Sequence, residues 1–432
     1  MGAIISDTSK WKRTKILCYL NYICAGASTQ IIGLLLTSFE RKFGLSVGQL
    51  TVLVNMLFSV LLVGIPVMTI VISKTGYRLW VILENVLNLV GLAGLGLFGF
   101  LFSNPYHGLF FAVACYSVAG CISEASTSAI IGSTPAKNKD RQMNMLHAVN
   151  GWGLIFWTLS GVAVFNVLGE NKWFVLPIAA GAVALINMFF ALTAQYPEAV
   201  PEGDDVVPLK DVFKSKIFIL LLLMIMMNGA IELCLGSWVS RFTEVGLHID
   251  KSKADLLGPA TLTLGMALSR TFFGLKADKI HIEKGLLITT FGAFVSHMII
   301  VLAPIPALSF VGCFLEGLCA GLMCPGIMCL LVKAFPRGGA HIFGTLNMFM
   351  YIGIIAANTM VSKLTTAAAN GAVPEGFQTL LHASTPDDLG MKLTLFIIGM
   401  VALVMFFVTI ATIKELKKVV AAYEASKTTP NT

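Results

Sequence analysis

Charge is scarce in this chain. Only 12% of its residues are Asp, Glu, Lys or Arg, against about 25% in a soluble domain. So few charges cannot cover a water-facing surface of this size. Polar–apolar alternation is also missing from the hydrophobic stretches, which excludes a spanning β-barrel and leaves helices. The nine cysteines, at 18, 24, 115, 121, 234, 313, 319, 324 and 329, form no CxxC pair and no Cys/His cluster. They read as small residues facing lipid or core, and neither a metal site nor a disulfide framework is expected. No Walker loop, GxSxG elbow, HExxH or DxDxDG loop occurs, so the sequence points to no enzyme and no cofactor. A cleavable leader is not expected either, because residues 1–15 are polar and basic and the apolar run that follows is too long. The net charge of +7 is scattered over short loops and gives no patch for nucleic acid.

What the chain does have is apolar runs. Hydrophobic residues make up 56% of it, in stretches of about 20, the length that crosses a ~30 Å hydrocarbon core as a helix. Twelve spans are predicted at 16–39, 47–71, 79–102, 106–132, 142–167, 173–194, 217–240, 255–274, 285–303, 308–332, 340–362 and 392–413. Two connections are long. Residues 195–216 are acidic and carry Pro197, Glu198, Pro201, Glu202, Asp204 and Asp205, and residues 363–391 are polar and rich in Gly, Pro and Thr. With the N-terminus inside, the inner segments hold 21 Lys and Arg and the outer ones 8. That bias predicts cytoplasmic termini and an even number of helices. The expected organisation is a six-helix bundle at 1–194, a cytoplasmic linker at 195–216 and a second six-helix bundle with a tail at 217–432. A solute site between such halves lies near mid-membrane.

Five charged residues fall well inside the spans: Glu84, Glu124, Glu232, Arg270 and Glu316. Each costs roughly 2.5–3.5 kcal/mol if left against lipid, so each should face a bundle interior or a watery cavity. Ser117, Cys121, Glu124 and Ser128 form one polar stripe on helix 4, and Asn144, His147 and Asn150 form another on helix 5. A carboxyl facing an imidazole there could hold a proton, or the two stripes could be a static hydrogen-bond network. Asn228 and Glu232 are one turn apart on helix 7. Trp238 shares a cavity with Glu232 only if the helix loosens near Gly236-Ser237; otherwise it sits at the lipid interface. Glu316 lies among Gly312, Gly317 and Gly321, which allow close helix packing. Glu84, near the inner end of helix 3, can snorkel. Asn347, Tyr351 and Asn358 share a face of helix 11, and Asn347 and Tyr351 are candidate contacts from the second half.

The loop after helix 8, Gly274-Leu-Lys-Ala-Asp278-Lys279, resembles the signature of the major facilitator superfamily: Gly, three residues, Asp, then a base. Its first-half copy, Ser73-Lys74-Thr75-Gly76-Tyr77-Arg78, has Ser73 where the family usually has Asp. Three further stretches resemble the fucose permease branch. One is Leu35-Leu36-Thr37-Ser38-Phe39 followed by Lys42 to Gln49. Another is Gly120, Cys121 and Glu124 with Asn144, His147, Asn150 and Gly153. The third is Glu232 and Gly236-Ser237-Trp238 with Arg270. Gly33, with Gln30 a turn earlier, stands about where that branch carries a helix-1 aspartate.

The resemblance implies an all-α membrane protein, twelve transmembrane helices in two six-helix bundles, working as a proton symporter of a sugar. It places Glu124, His147 and Asn150 at the sugar site. The expected substrate-binding set is Gln30, Glu124, His147, Asn150, Glu232, Trp238, Asn347 and Tyr351. Glu124 and Glu232 carry the proton. Arg270, Gly274, Asp278 and Lys279 form a cytoplasmic gate in which Arg270 pairs with Asp278. The expected partners are a small-molecule substrate, protons and membrane lipid, for a monomer in the cell's inner (plasma) membrane. The alternatives are a proton-coupled exporter of drugs or amphipathic metabolites, and a non-transporting receptor or structural membrane protein.

Overall fold

Each apolar run folds as a helix because, in hydrocarbon, a backbone N–H has no partner except the carbonyl one turn back. The computed structural model describes residues 10–135, 139–198, 209–276, 281–335 and 340–428. The first half contains α1 (Lys12–Phe43), α2 (Val47–Thr75), α3 (Arg78–Leu101), α4 (Pro105–Ser133), α5 (Lys139–Leu168) and α6 (Val175–Thr193). The second contains α7 (Lys216–Gly246), α8 (Lys251–Leu257 and Pro259–Lys276), α9 (Ile282–Leu302), α10 (Pro306–Ala334), α11 (Ala340–Ala369) and α12 (Pro386–Thr428). Among the described residues there is no strand. Eleven of these helices are long and apolar enough to cross a bilayer. The twelfth, α8, breaks at Gly258 before Pro259, which has no N–H to continue the ladder. It still packs along α10 as a spanning helix would.

Hydropathy locates the membrane-embedded part of a helix and misses its polar extensions. So α1 starts before the expected residue 16, and α12 runs to Thr428 rather than 413. The expected polar loop at 363–391 is largely helical, with the end of α11, a short helix at Glu375–Leu380 and the start of α12. Of the acidic linker, residues 199–208 lie outside the described residues, and a short helix, Leu209–Val212, precedes α7.

The α1–α2 turn gives a physical reason for one of the quoted stretches. Gly44 takes φ 67°, the left-handed conformation that ends α1, and its N–H reaches the Glu40 carbonyl. Two residues on, Ser46 caps α2: its hydroxyl accepts from the Gln49 N–H while the Gln49 side chain accepts from the Ser46 N–H. Such a box contributes about 0.5–2 kcal/mol and fixes the angle of the turn.

The starts of α1 and α7 lie at one end of the molecule with the tail of α12. There Lys15 donates to the Pro135 carbonyl, Thr14 to the Gln195 carbonyl, and Lys216 lies 4.0 Å from Glu415. We call this the terminal end and the opposite one the far end. The halves meet along α1–α7, α2–α11 and α5–α8. Within the second half, α7 and α11 cross at Gly229 and Gly353. A methyl group on Gly353 would lie 1.9 Å from the Met226 carbonyl oxygen, and one on Gly229 would lie 2.1 Å from that of Met350. Side chains such as Val63, Ile70, Ile288 and Phe407 are exposed and form the apolar outer face.

Candidate functional site

Glu84, Glu124, Glu232 and Glu316, the four carboxylates expected inside the spans, differ in their surroundings. Glu84 on α3 is fully buried instead of snorkelling. It accepts from Asn21 Nδ2 at 3.2 Å, and Asn21 in turn binds Thr127 and Asn187. Glu316 on α10 is equally buried, with its Oε2 3.3 Å from His297 Nδ1 on α9. Gly312 and Gly317 bring α10 against α9 and α8, as expected of that glycine-rich stretch. Glu232 on α7 is buried and holds two donors, Arg270 Nη2 from α8 at 3.0 Å and Asn228 Nδ2 at 3.1 Å.

Glu124 is the exception. It is exposed, although it lies 20 residues into the 29-residue α4. It has no hydrogen bond or ion pair to any described residue. Its neighbours identify the space it faces. Tyr22 on α1, Cys324 on α10 and Tyr351 on α11 all lie within electrostatic range of its carboxylate, so it lies near the meeting of the two halves. Cys324 also senses Glu232 and Arg270. A central cluster therefore draws Tyr22 and Glu124 from one half and Glu232, Arg270, Cys324 and Tyr351 from the other. The other polar groups of the α4 stripe tie α4 to its neighbours: Cys121 donates to the Val60 carbonyl of α2, and Ser128 bonds the Tyr22 hydroxyl at 2.8 Å.

Helix α7 does loosen, one turn before the expected place. Residues Gly229–Leu233 are π-helical, and so are Phe242–Gly246. The first of these wide turns contains Glu232, in keeping with the use of such turns at functional sites. Trp238 does not share the cavity with Glu232 in this conformation. It is 2% exposed, and its indole Nε1 donates to Asn358 Oδ1 at 3.0 Å. Asn358 donates to Asn55 Oδ1 on α2, and Asn55 donates to Thr359 Oγ1, each at 3.0 Å. This chain of amides, with the ring contact of Phe58 and Tyr351 at 6.3 Å, joins α2 to α11. The polar face of α11 read from the sequence is thus an interface with the opposite half.

The far end is closed by ion pairs. Arg241 at the end of α7 is 1% exposed and is held by Glu40 of α1 and, at 3.0 Å, by Asp387 of α12. Arg41 pairs with Glu244, and also with Glu170 at 3.0 Å. Lys251 is buried beside them and donates to Ser240 at 2.6 Å and Asp255 at 3.2 Å. Below these, Gly33 lets α1 lie against α7: a methyl group there would be 2.9 Å from the Ser237 carbonyl oxygen. An aspartate at that position would collide with α7 in this arrangement.

The remaining predicted residues are dispersed. Gln30 is buried on α1, one turn below Gly33. Asn150 is half-buried, and its amide donates to the Tyr22 carbonyl at 3.4 Å, tying α5 to α1. Asn347 is half-buried on α11. His147 lies on α5 and Gly274 on α8, but the side-chain surroundings of both fall outside the described part, and Asp278 and Lys279 lie outside the described residues. The partner found for Arg270 is Glu232, where Asp278 was expected. Sequence reasoning missed the far-end cluster, because Arg41, Arg241 and Lys251 look like ordinary loop charges. The one local signal is an acid adjacent to a base at a helix end, Glu40-Arg41.

These features define a two-bundle membrane carrier. The family model of the Major Facilitator Superfamily matches residues 18–358, and the chain belongs to that family. No curated protein sequence matches it. Solved structures share its fold. A D-xylose–proton symporter superposes with TM-score 0.72 at 12% identity, over 91% of this chain and 96% of the other. A bacterial homolog of the human lysosomal transporter Spinster, inward-facing and occupied, gives 0.70 at 16% identity over 94% and 97%. A nucleoside transporter gives 0.67 at 14% identity over 93% and 98%.

Proposed function

We propose that the protein is a secondary active transporter that moves a small polar solute, a sugar or polyol, together with protons by alternating access. The observation that carries this reading is Glu124: an exposed carboxylate without a countercharge among the described residues, near the meeting of the two halves, whose far end is held shut. Protonation of Glu124 removes a charge that opposes closure around the load, because an ion in a low-dielectric space is costly unless neutralised. Glu232 and Arg270 supply acceptors and donors from the other side, and Gln30, Asn150, Asn347 and Tyr351 are assigned to the solute site as groups that would reach hydroxyls when the bundles rearrange. His147 is assigned to the same site by its place on α5. The solved relatives named for D-xylose–proton and nucleoside transport support a polar solute.

The Lys/Arg bias assigns the terminal end to the cytoplasm, with 195–216 linking the bundles there and the far end outside. The closed cluster at Arg241 is then the outer gate, and the conformation is inward-facing. Gly274, Asp278 and Lys279 are assigned to the inner gate, which forms when the bundles rock the other way.

The test is uptake into proteoliposomes of purified protein, under an imposed inward proton gradient, over a panel of sugars and polyols. Accumulation of at least one should require the gradient. Glu124→Gln should abolish accumulation while solute exchange persists. A Glu124→Gln carrier that still concentrates solute under the gradient would refute the proton role, and failure of every polyol would refute the solute class.

A further inference from the structure

The start of α3, at the terminal end, is basic and has no acid to answer it. The loop Ser73-Lys74-Thr75-Gly76-Tyr77-Arg78 carries two cations and no carboxylate. Arg78 is exposed, and its Nη2 donates to the Leu192 carbonyl near the end of α6 at 3.3 Å. Its guanidinium makes no ion pair with any described residue. Glu198, the acid that follows α6, is exposed and is not paired with it. No side chain caps α3 and no acid lies in its first turn, so the positive end of that helix is open to an anion.

Beside Arg78 lies a groove of about 500 Å³, between the α2–α3 turn and the chain leaving α6. Tyr77, Arg78, Leu79, Ile82, Tyr196 and Pro197 line it. Tyr77 is 9% exposed, and its hydroxyl has no hydrogen-bond partner among the described residues. Tyr196 is fixed by its hydroxyl, which donates to the Ala191 carbonyl at 2.6 Å. The other side of the groove is apolar. Leu79 is 65% exposed, and exposed Val86 on α3 with Phe189 and Leu192 on α6 continue that wall along the outer face of the bundle. Trp80, whose indole donates to Thr75 Oγ1 at 2.8 Å, joins Tyr77 and Tyr196 to mark the headgroup level of a bilayer. A soluble anion would use Arg78 and gain nothing from the apolar wall. A phospholipid uses both.

We infer that this groove binds an anionic phospholipid of the leaflet at the terminal end. Arg78 and the first N–H groups of α3 take the phosphate, and an acyl chain follows Leu79 and Val86 along the outer face. A zwitterionic lipid brings the same phosphate with a cation of its own. The groove offers that cation no acid, so the net charge of the headgroup decides which lipid is held.

The experiment titrates the purified full chain, in a neutral detergent, with dihexanoyl phosphatidylglycerol, dihexanoyl phosphatidylcholine and inorganic phosphate. Binding is read from the melting temperature, which a ligand of the folded state raises with its concentration. Phosphatidylglycerol should act at a concentration about tenfold lower than phosphatidylcholine, as a hydrogen bond to a charged group implies. Arg78→Gln should erase that preference. Lys417→Gln, which removes an exposed charge from the α12 tail at the same end, should keep it. If the arginine variant fails to fold, Leu79→Glu decides in its place: a carboxylate on that exposed wall should also erase the preference. Equal binding of the two lipids, binding of neither, or a preference that survives Arg78→Gln or Leu79→Glu overturns the inference. An equal loss in Lys417→Gln overturns it too, because the attraction is then diffuse. Inorganic phosphate that acts as well as phosphatidylglycerol overturns it in favour of a soluble anion.

Discussion

Glu124 and Glu232 differ in what stands next to them, and that difference fixes what each can do. Glu232 accepts from Arg270 and Asn228, so both of its oxygens are occupied. Its replacement by glutamine keeps the shape and leaves the Arg270 charge alone. Breaking a fully buried pair in this way costs about 3–5 kcal/mol. The Arg270 side chain is 30% exposed, so water offsets part of that, and a loss of about 1–3 kcal/mol is expected for Glu232→Gln. Adding Arg270→Gln should restore much of it, giving a coupling above about 1 kcal/mol in a double-mutant cycle read by chemical unfolding. Additive losses would mean that the two charges do not hold each other. Residue types at this scale were legible in the sequence: all five embedded charges stood out because lipid tolerates none of them unpaired. Their partners were not legible. Arg270 was matched to Asp278, which lies outside the described residues, and its partner Glu232, 38 positions away, went unread.

Helix α7 shows why spans could be read and their internal register could not. Hydropathy is a local property, so twelve apolar runs gave twelve helices. A change to π-helical pitch leaves no local mark when a neighbouring helix favours it. At Gly229 the backbone of α11 comes so close that only glycine fits, and the wide turn begins there. Gly236, where loosening was expected, has open space around its missing side chain. The two kinds of glycine should therefore respond oppositely to alanine. Gly353→Ala should destabilise the carrier by at least about 1–3 kcal/mol, the cost of overpacking, because its methyl group would meet a carbonyl on α7. Gly236→Ala should be neutral or add up to about 1 kcal/mol, the helix preference of alanine over glycine. Melting temperatures of the two variants, purified side by side, test the crossing. Equal shifts would show that α7 and α11 do not touch at Gly353. The same register explains the misplacement of Trp238, which read as a cavity wall and instead holds Asn358 at the α2–α11 interface.

At the scale of the whole molecule, the closed state is held by charges that lie far apart in sequence. Glu40 and Arg241 are 201 positions apart, and Arg241 and Asp387 are 146 apart. Each looked like a residue of a loop between spans, and only the meeting of α1, α7 and α12 makes them a gate. Arg241 bridges two acids of different helices. Replacing it with glutamine leaves Glu40 and Asp387 facing each other, and their repulsion favours separation of α1 from α7. Every 1.4 kcal/mol taken from the closed state raises the open fraction about tenfold, so the loss of one buried charge is enough to shift the population visibly. Ser237 reports that shift, because it is 6% exposed and its carbonyl is covered by Gly33 of α1. In a background without other cysteines, Ser237→Cys should resist a membrane-impermeant maleimide added from the far side. Adding Arg241→Gln should increase its labelling several-fold. High salt should produce a smaller effect in the parent, because buried pairs are screened less than surface ones. Labelling that stays low with Arg241→Gln, in protein that remains folded, would show that the ion pairs at the far end do not hold the gate shut.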